Sequence, residues 1–195
     1  MKMVYKVHII TEGKSEKAYF AKLSRFCRDV KGIYIIFEVY SCDGNSAKNA
    51  KNRWEEAQHR RDGKANEEVL LILDFDSFKR GDKQKSSYGF AGDNFYFFVM
   101  NFEDFLAHHL NEETLGRWKG ICQGQNHFTV PMNNELVMQN IRQIWPGYNK
   151  GDIPFILNET ALANLQGNRD GFIISQGTDN FIPAFLNILR SKGII

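Results

Sequence analysis

The sequence lacks two features that are typical of exported and membrane proteins, namely a set of paired cysteines and a long apolar run. Its three cysteines, Cys27, Cys42 and Cys122, are odd in number and have no CxxC spacing, so they do not indicate a disulfide framework or a zinc site. No window approaches the roughly 20 apolar residues of a membrane helix, and no signal-type apolar stretch follows the N-terminus. We therefore expect a cytoplasmic protein with buried, free cysteines and no membrane partner.

A strong excess of charge of one sign is also absent. The chain has 25 Lys and Arg against 23 Asp and Glu, so its formal net charge is only +2. This balance excludes strong overall attraction to a polyanion and leaves a local basic patch as the means of binding one. Hydrophobic residues, in contrast, make up 43% of the 195 residues and aromatic residues 13%, enough to fill the core of one domain spanning 1–195.

The first half of the chain alternates between two hydrophobic periodicities. Strands are predicted at 4–10, 33–40, 68–76 and 94–100, helices at 15–30 and 46–61, and a loop at 78–93. Ser15 is the predicted cap of the first helix, whose aromatic side chains are expected in the core. The unbroken apolar run 69–73 is typical of a strand covered on both faces in a parallel sheet. Strands alternating with helices predict an α/β fold with right-handed crossovers.

The second half has a different, mainly helical pattern. Helices are predicted at 102–110, 134–145, 159–165 and 179–189, with a short strand at 171–175. We therefore expect a core at 1–110 and a largely helical C-terminal extension at 111–195, packed on the same sheet.

Acidic residues follow three of the predicted strands. Glu12 follows the first strand, Asp74 and Asp76 end the third, and Glu103 follows the fourth. Open α/β sheets bind ligands at the carboxyl ends of their strands, so these side chains are candidates for one site. Residues i and i+2 of a strand share a face, which would direct Asp74 and Asp76 to one point. Their mutual repulsion would be relieved by a hard cation such as Mg²⁺ or Mn²⁺.

The segment after the first strand permits two interpretations. Gly13 allows a tight turn into the helix, and Glu16 is either a helix-start carboxylate or a metal ligand. Lys14 is either solvated or in contact with a phosphate, although the segment is not a phosphate-binding Walker loop. Glu103 has the same ambiguity, since it is either part of a helix cap or a metal ligand.

Basic residues are concentrated in the loop after the third strand. They are Lys79, Arg80, Lys83 and Lys85. These residues form a local basic patch of the kind that the small net charge does not exclude. The pattern fits both a loop that binds phosphate and a loop that is only solvated. His8 and His109 are predicted to pack in the interior, because each lies among apolar neighbours.

Three segments of the chain resemble the Toprim domain, and within it the RloB-like family, which is related to the Toprim half of overcoming-lysogenization-defect nucleases. They are ITEGKSEKAYF at 10–20, LILDFD at 71–76 and VMNFEDFL at 99–106. The family has EG-x-(S/T)-E-x-x-Y-F at strand one, DxD on strand three and a later N-x-x-F-E-x-W-L. Phe105 stands where the family often has Trp, and the usual Pro-Cys before Phe-Glu is missing.

The resemblance implies a Toprim-like, Rossmann-like, mostly parallel sheet and metal-dependent nuclease chemistry in prokaryotic defence. It implies that Glu12, Asp74 and Asp76 gather Mg²⁺ or Mn²⁺, with Glu12 a ligand or a general acid/base. Glu103 and Glu16 would complete a second metal position. The substrate would be nucleic acid, with DNA favoured over RNA. A separate ATPase partner is implied because the chain has no ATP-binding motif of its own.

Two other functions remain open. The first is a Toprim-like subunit of a defence complex that binds metal and nucleic acid without cleaving. The second is a phosphotransfer enzyme on a receiver-like or haloacid-dehalogenase-like sheet. That enzyme would need an aspartate nucleophile after the first strand, where this chain has Glu12.

Overall fold

The computed structural model describes residues 4–42, 46–61, 67–75, 85–98, 100–125, 134–169 and 180–195. Its strands are β1 (Tyr5–Thr11), β2 (Ile35–Ser41), β3 (Glu67–Asp74) and β4 (Phe95–Phe98). Its α-helices are α1 (Lys14–Asp29), α2 (Ala47–Arg61), α3 (Phe102–Ala107), α4 (Glu112–Gly124), α5 (Asn134–Ile144), α6 (Glu159–Gly167) and α7 (Phe181–Ser191). A 3₁₀ segment, Lys85–Asn94, precedes β4.

The four strands form one parallel sheet in the order β2-β1-β3-β4. Ile9 at the centre of β1 pairs with Val39 of β2 on one side and with Leu70 of β3 on the other. This confirms the predicted α/β class, with a Rossmann-like parallel sheet flanked by helices. The chain leaves β1 toward β2 and leaves β3 toward β4, so the strand order reverses between β1 and β3.

Helices cover both faces of the sheet. On one face, sheet residues such as Ile9, Ile72 and Phe98 join α1 and α3 to α7 in a single apolar core. On the other face, Ile10 and Leu71 pack with α2 and the 3₁₀ segment. This two-sided burial explains the unbroken apolar run of β3. The helices of the C-terminal extension share the core of the first face.

The predictions for single side chains in the interior are confirmed. Tyr19 and Phe20 of α1 are fully buried, and the Tyr19 hydroxyl hydrogen-bonds to His109 at 2.8 Å. His8 is fully buried as well. All three cysteines are buried and free. Among the described residues, no helix is long and apolar enough to cross a membrane.

Three sequence predictions need correction. First, β3 ends at Asp74, two residues before the predicted end of this strand, and Phe75 is helical; Asp76 lies outside the described residues. Second, 85–94 is a 3₁₀ segment where a loop is predicted. Third, α4 is absent from the prediction although Leu115, Trp118 and Cys122 form its buried face. The predicted strand at 171–175 lies outside the described residues.

A buried network fixes the start of α3, where Glu103 lies. The Asn101 side chain accepts the backbone N–H of Asp104 at 3.0 Å, and the Asp104 carboxylate accepts the backbone N–H of Asn101 at 3.3 Å. This capping box satisfies two donors at the helix start. Trp118 of α4 donates to the same carboxylate at 2.8 Å, which ties α4 to α3.

Trp118→Phe is expected to destabilise the fold more than Trp54→Phe does. Both replacements remove the same volume from a buried site, but only the first deprives the buried Asp104 carboxylate of its indole donor. The excess loss should be about 1–3 kcal/mol in the free energy of unfolding, measured by urea denaturation. Equal losses for the two variants would show that the hydrogen bond contributes nothing.

Candidate active site

Glu12 and Asp74 meet at the carboxyl end of the sheet, where the strand order reverses. Glu12 directly follows β1 and Asp74 is the last residue of β3. The Oε1 atom of Glu12 accepts the backbone N–H of Asp74 at 3.3 Å. The two acidic residues predicted from neighbouring strand ends therefore lie side by side. They occupy the crevice in which open α/β sheets bind their ligands.

Two further carboxylates, Glu16 and Glu103, are buried in the first turns of α1 and α3. Each residue is only 4% exposed. Each carboxylate accepts the backbone N–H of its own residue, so the start of the helix partly solvates it. Glu16 is therefore a helix-start carboxylate, whereas the capping box of α3 is formed by Asn101 and Asp104 and not by Glu103. These positions do not place either residue outside the site, because α1 follows β1 directly and α3 closely follows β4.

Burial disfavours the ionised form of both buried carboxylates. The pKa of Glu16 is raised from the ordinary 4.5 to about 7, mainly by burial and also by the negative charges of Glu103 and Glu12, against hydrogen bonds from its own backbone N–H and, at 3.3 Å, from Thr11. Burial also raises the pKa of Glu103, while the nearby Lys150 lowers it. A cation bound among these carboxylates would favour their ionised forms and so oppose both shifts.

A loop from the C-terminal extension closes over these acids. In this loop, which we name the 148–151 segment, the Tyr148 hydroxyl donates to Glu103 Oε1 at 3.3 Å. Lys150 Nζ lies 3.9 Å from the same oxygen. The backbone N–H of Gly151 donates to Ser15 Oγ at 2.9 Å. The segment thus holds the starts of α1 and α3 together.

Sequence reasoning missed the 148–151 segment and misassigned Ser15. The N-cap of α1 is Gly13, without a side-chain cap, so Ser15 does not cap the helix but anchors the segment. The available signal was a Pro-Gly turn at 146–147 followed closely by a tyrosine and a lysine. That signal is weak, because nothing in the local sequence indicates that this loop contacts Glu103, 45 positions earlier, or Ser15, 136 positions earlier.

Gly13 is required for space and not for backbone freedom. Its φ of −136° is extended backbone that any residue adopts. A Cβ at this position would lie 2.8 Å from Oε2 of Glu16, well inside contact distance. The glycine therefore leaves room for the buried carboxylate directly after β1.

Several predicted site residues cannot be placed in this arrangement. Asp76, Lys79, Arg80 and Lys83, together with the side chain of Lys85, lie outside the described residues. Lys14 is exposed at the first position of α1 and forms no ion pair within the described ranges. In the same part of the chain, no group of three or more His, Cys, Asp or Glu residues is arranged as a metal site.

Comparisons with known proteins yield no relative. No protein-family model, no curated protein and no solved structure matches this chain. The function of the protein is therefore inferred from the geometry of the site and from the sequence motifs.

Glu16→Gln is expected to stabilise the protein at neutral pH and to have little effect in acid. Below pH 4.5 the carboxyl group is protonated in both the folded and the unfolded chain. Between pH 4.5 and about 7 the unfolded chain ionises first, so the folded protein loses stability as the pH rises. The advantage of the glutamine variant should grow through this window to on the order of 1–3 kcal/mol, measured by urea denaturation at several pH values.

Glu55→Gln on α2 is the matched control, because the Glu55 side chain is 62% exposed. Its stability relative to the parent protein should not change over the same pH window. A Glu16→Gln profile that runs parallel to the parent's would contradict the buried, charge-destabilised carboxylate.

Proposed function

We propose that this protein is a metal-dependent nuclease that cleaves phosphodiester bonds of nucleic acid with Mg²⁺ or Mn²⁺. The observation that carries the proposal is the meeting of Glu12 and Asp74 where the strand order reverses, with the buried Glu16 and Glu103 beside them. Carboxylate oxygens are the donors that hard divalent cations prefer. The order of the three Toprim-like motifs supports the same chemistry.

The residues present fit a bound divalent cation. Glu12 and Asp74 would hold it, with Asp76 joining them by the resemblance, and Glu103 and Glu16 would serve a second position. The raised pKa values of Glu16 and Glu103 are consistent with this fit, because burial disfavours their ionised forms and a bound cation would favour them. A bound metal would supply an activated water and neutralise charge on the phosphate.

The protein's own side chains would orient the substrate and manage protons. Glu16, with a pKa of about 7, can hold or release a proton at a carboxylate oxygen near neutral pH. Lys150, whose side chain is 48% exposed, lies at the border between the buried Glu103 and solvent, where a phosphate would approach. Lys14 opens α1 on the exposed side of the site. The loop bases Lys79, Arg80, Lys83 and Lys85 are proposed as further phosphate contacts.

The cellular context is proposed from the resemblance alone. It consists of prokaryotic defence in the cytoplasm, on DNA in preference to RNA, beside a separate ATPase partner. The alternative, a subunit that binds metal and nucleic acid without cleaving it, uses the same residues and differs only in the chemical step.

Glu12→Gln and Asp74→Asn are expected to abolish cleavage. The purified protein should degrade plasmid or single-stranded DNA in Mn²⁺ and not in EDTA, as monitored by gel electrophoresis. Each variant removes a charged ligand, and the rate should fall at least about 100-fold. Glu68→Gln is the matched control, since Glu68 lies near the opposite end of β3 and pairs with Lys192 at 3.4 Å.

Full activity in Asp74→Asn would overturn the nuclease proposal. Nucleic-acid binding that depends on Mn²⁺, without cleavage by the parent protein on any DNA or RNA offered, would favour the non-cleaving subunit instead. Hydrolysis of small phosphate esters with no action on nucleic acid would favour the phosphotransfer enzyme.

Mn²⁺ is expected to raise the thermal unfolding midpoint through the same carboxylates. A cation at 100 times its dissociation constant stabilises a folded protein by about 2.7 kcal/mol. Calorimetry with and without about 1 mM Mn²⁺ should show a higher unfolding midpoint with the cation, both in the parent and in Glu68→Gln. The shift should be lost in Glu12→Gln and reduced in Glu103→Gln. An equal shift in all four proteins would place the cation elsewhere.

A further inference from the structure

A preformed cavity lies directly beside the acidic site. It has a volume of about 420 Å³, within the range of small-molecule sites. Its lining includes Trp145, Pro146, Tyr148, Asn149, Asp152 and Pro154. None of these residues belongs to the group of acids described above, and none figured in the sequence predictions of a site.

Tyr148 connects the cavity with the acids. The residue lines the cavity, while its hydroxyl donates to Glu103 Oε1 at 3.3 Å. Tyr148 therefore lies between the cavity and the Glu103 carboxylate. In a nucleotide, one sugar ring lies between the base and its phosphate, so the two neighbouring sites suit the two ends of one nucleotide.

Trp145 gives the cavity a rigid aromatic wall. Its ring stacks on Phe155, with centroids 5.9 Å apart and an interplanar angle of 30°. Phe155 in turn stacks on the buried His109 at 5.1 Å. Trp145 itself is only partly buried, so it is held in place from behind and still contributes to the cavity surface.

Hydrogen bonds fix the polar part of the wall. Arg142 donates to the Tyr148 carbonyl at 3.2 Å and to Asn149 Oδ1 at 3.3 Å. Lys22 of α1 donates to Asp152 Oδ1 at 2.5 Å, which fixes the far side of the loop. A wall ordered before binding avoids the entropy cost of ordering it on binding. The cavity thus combines flat rings with amide and carboxylate groups, the two features that bind a base by stacking and by its polar edge.

We propose that this cavity binds an unpaired nucleobase of the substrate whose phosphate lies at the acidic site. The inference rests on the proposed function for the phosphate, but the base is recognised by the cavity itself. A paired base has its polar edge occupied and its faces stacked, so the subsite selects single-stranded or locally opened nucleic acid. Stacking on aromatic side chains tolerates any base, so the preference is for strandedness and not for sequence.

Nucleosides test the cavity without involving the phosphate site. Adenosine and cytidine, titrated in EDTA, should quench tryptophan fluorescence through Trp145, because Trp54 and Trp118 are buried in the two cores. Ribose should have no effect. Trp145→Leu should weaken nucleoside binding at least tenfold, whereas Tyr34→Leu, which removes an aromatic ring 40% exposed elsewhere, should not. In the amide NMR spectrum, nucleoside shifts of the parent should centre on the non-proline residues of 144–149 and 152–153.

The outcomes separate this inference from the nuclease proposal. Cleavage of nucleic acid without nucleoside shifts at the cavity, or with single and double strands cut equally, would overturn the base subsite and leave the nuclease standing. Nucleoside binding at the cavity in a protein that never cleaves would support the subsite and overturn the nuclease. If Trp145→Leu fails to fold, the NMR map of the parent still decides, and shifts centred away from the cavity would refute the subsite.

Discussion

The reversal of strand order between β1 and β3 is the constraint on which the rest of the site depends. It brings the ends of these strands side by side, so that Glu12 receives a hydrogen bond from the backbone of Asp74. Because α1 starts directly after β1, the same geometry carries Glu16 to this point. Helix α3 follows β4 after a short connection and carries Glu103 there as well. The topology thus carries Glu12, Asp74, Glu16 and Glu103 to the same edge of the sheet, where Glu12 contacts Asp74 and Glu16 senses the charges of Glu12 and Glu103.

Concentrating these acids in the interior has a cost, and the surrounding structure only partly offsets it. Backbone N–H groups at the helix starts, the Thr11 hydroxyl and the 148–151 segment all favour the ionised carboxylates. Burial still dominates, since the pKa of Glu16 remains near 7. The buried Glu16 and Glu103 therefore lower the stability of the fold at this site, while most of the buried residues elsewhere are apolar. Such a local loss of stability is typical of binding sites.

Much of this arrangement could be predicted from the sequence because its causes are local. The apolar run of β3 and the periodicity of α1 fix the sheet class, and the rule on strand ends then selects Glu12 and Asp74. The predicted shared face of Asp74 and Asp76 stays a prediction, because Asp76 lies outside the described residues. Helix α4 was missed because Gly116, Gly120 and Gly124 weaken its helical pattern, while contact with the core stabilises it.

The contacts of the 148–151 segment could not be predicted for a different reason. Tyr148 meets Glu103 across 45 positions and Gly151 meets Ser15 across 136, and no local pattern encodes either contact. Yet through this segment the C-terminal extension takes part in the proposed chemistry. Tyr148 and Lys150 both approach the Glu103 carboxylate, and Tyr148 also lines the aromatic cavity. A movement of this loop would change the position of Glu103 and the shape of the cavity together. Recognition of the base and the placement of the phosphate are therefore coupled in the proposed mechanism through one short loop.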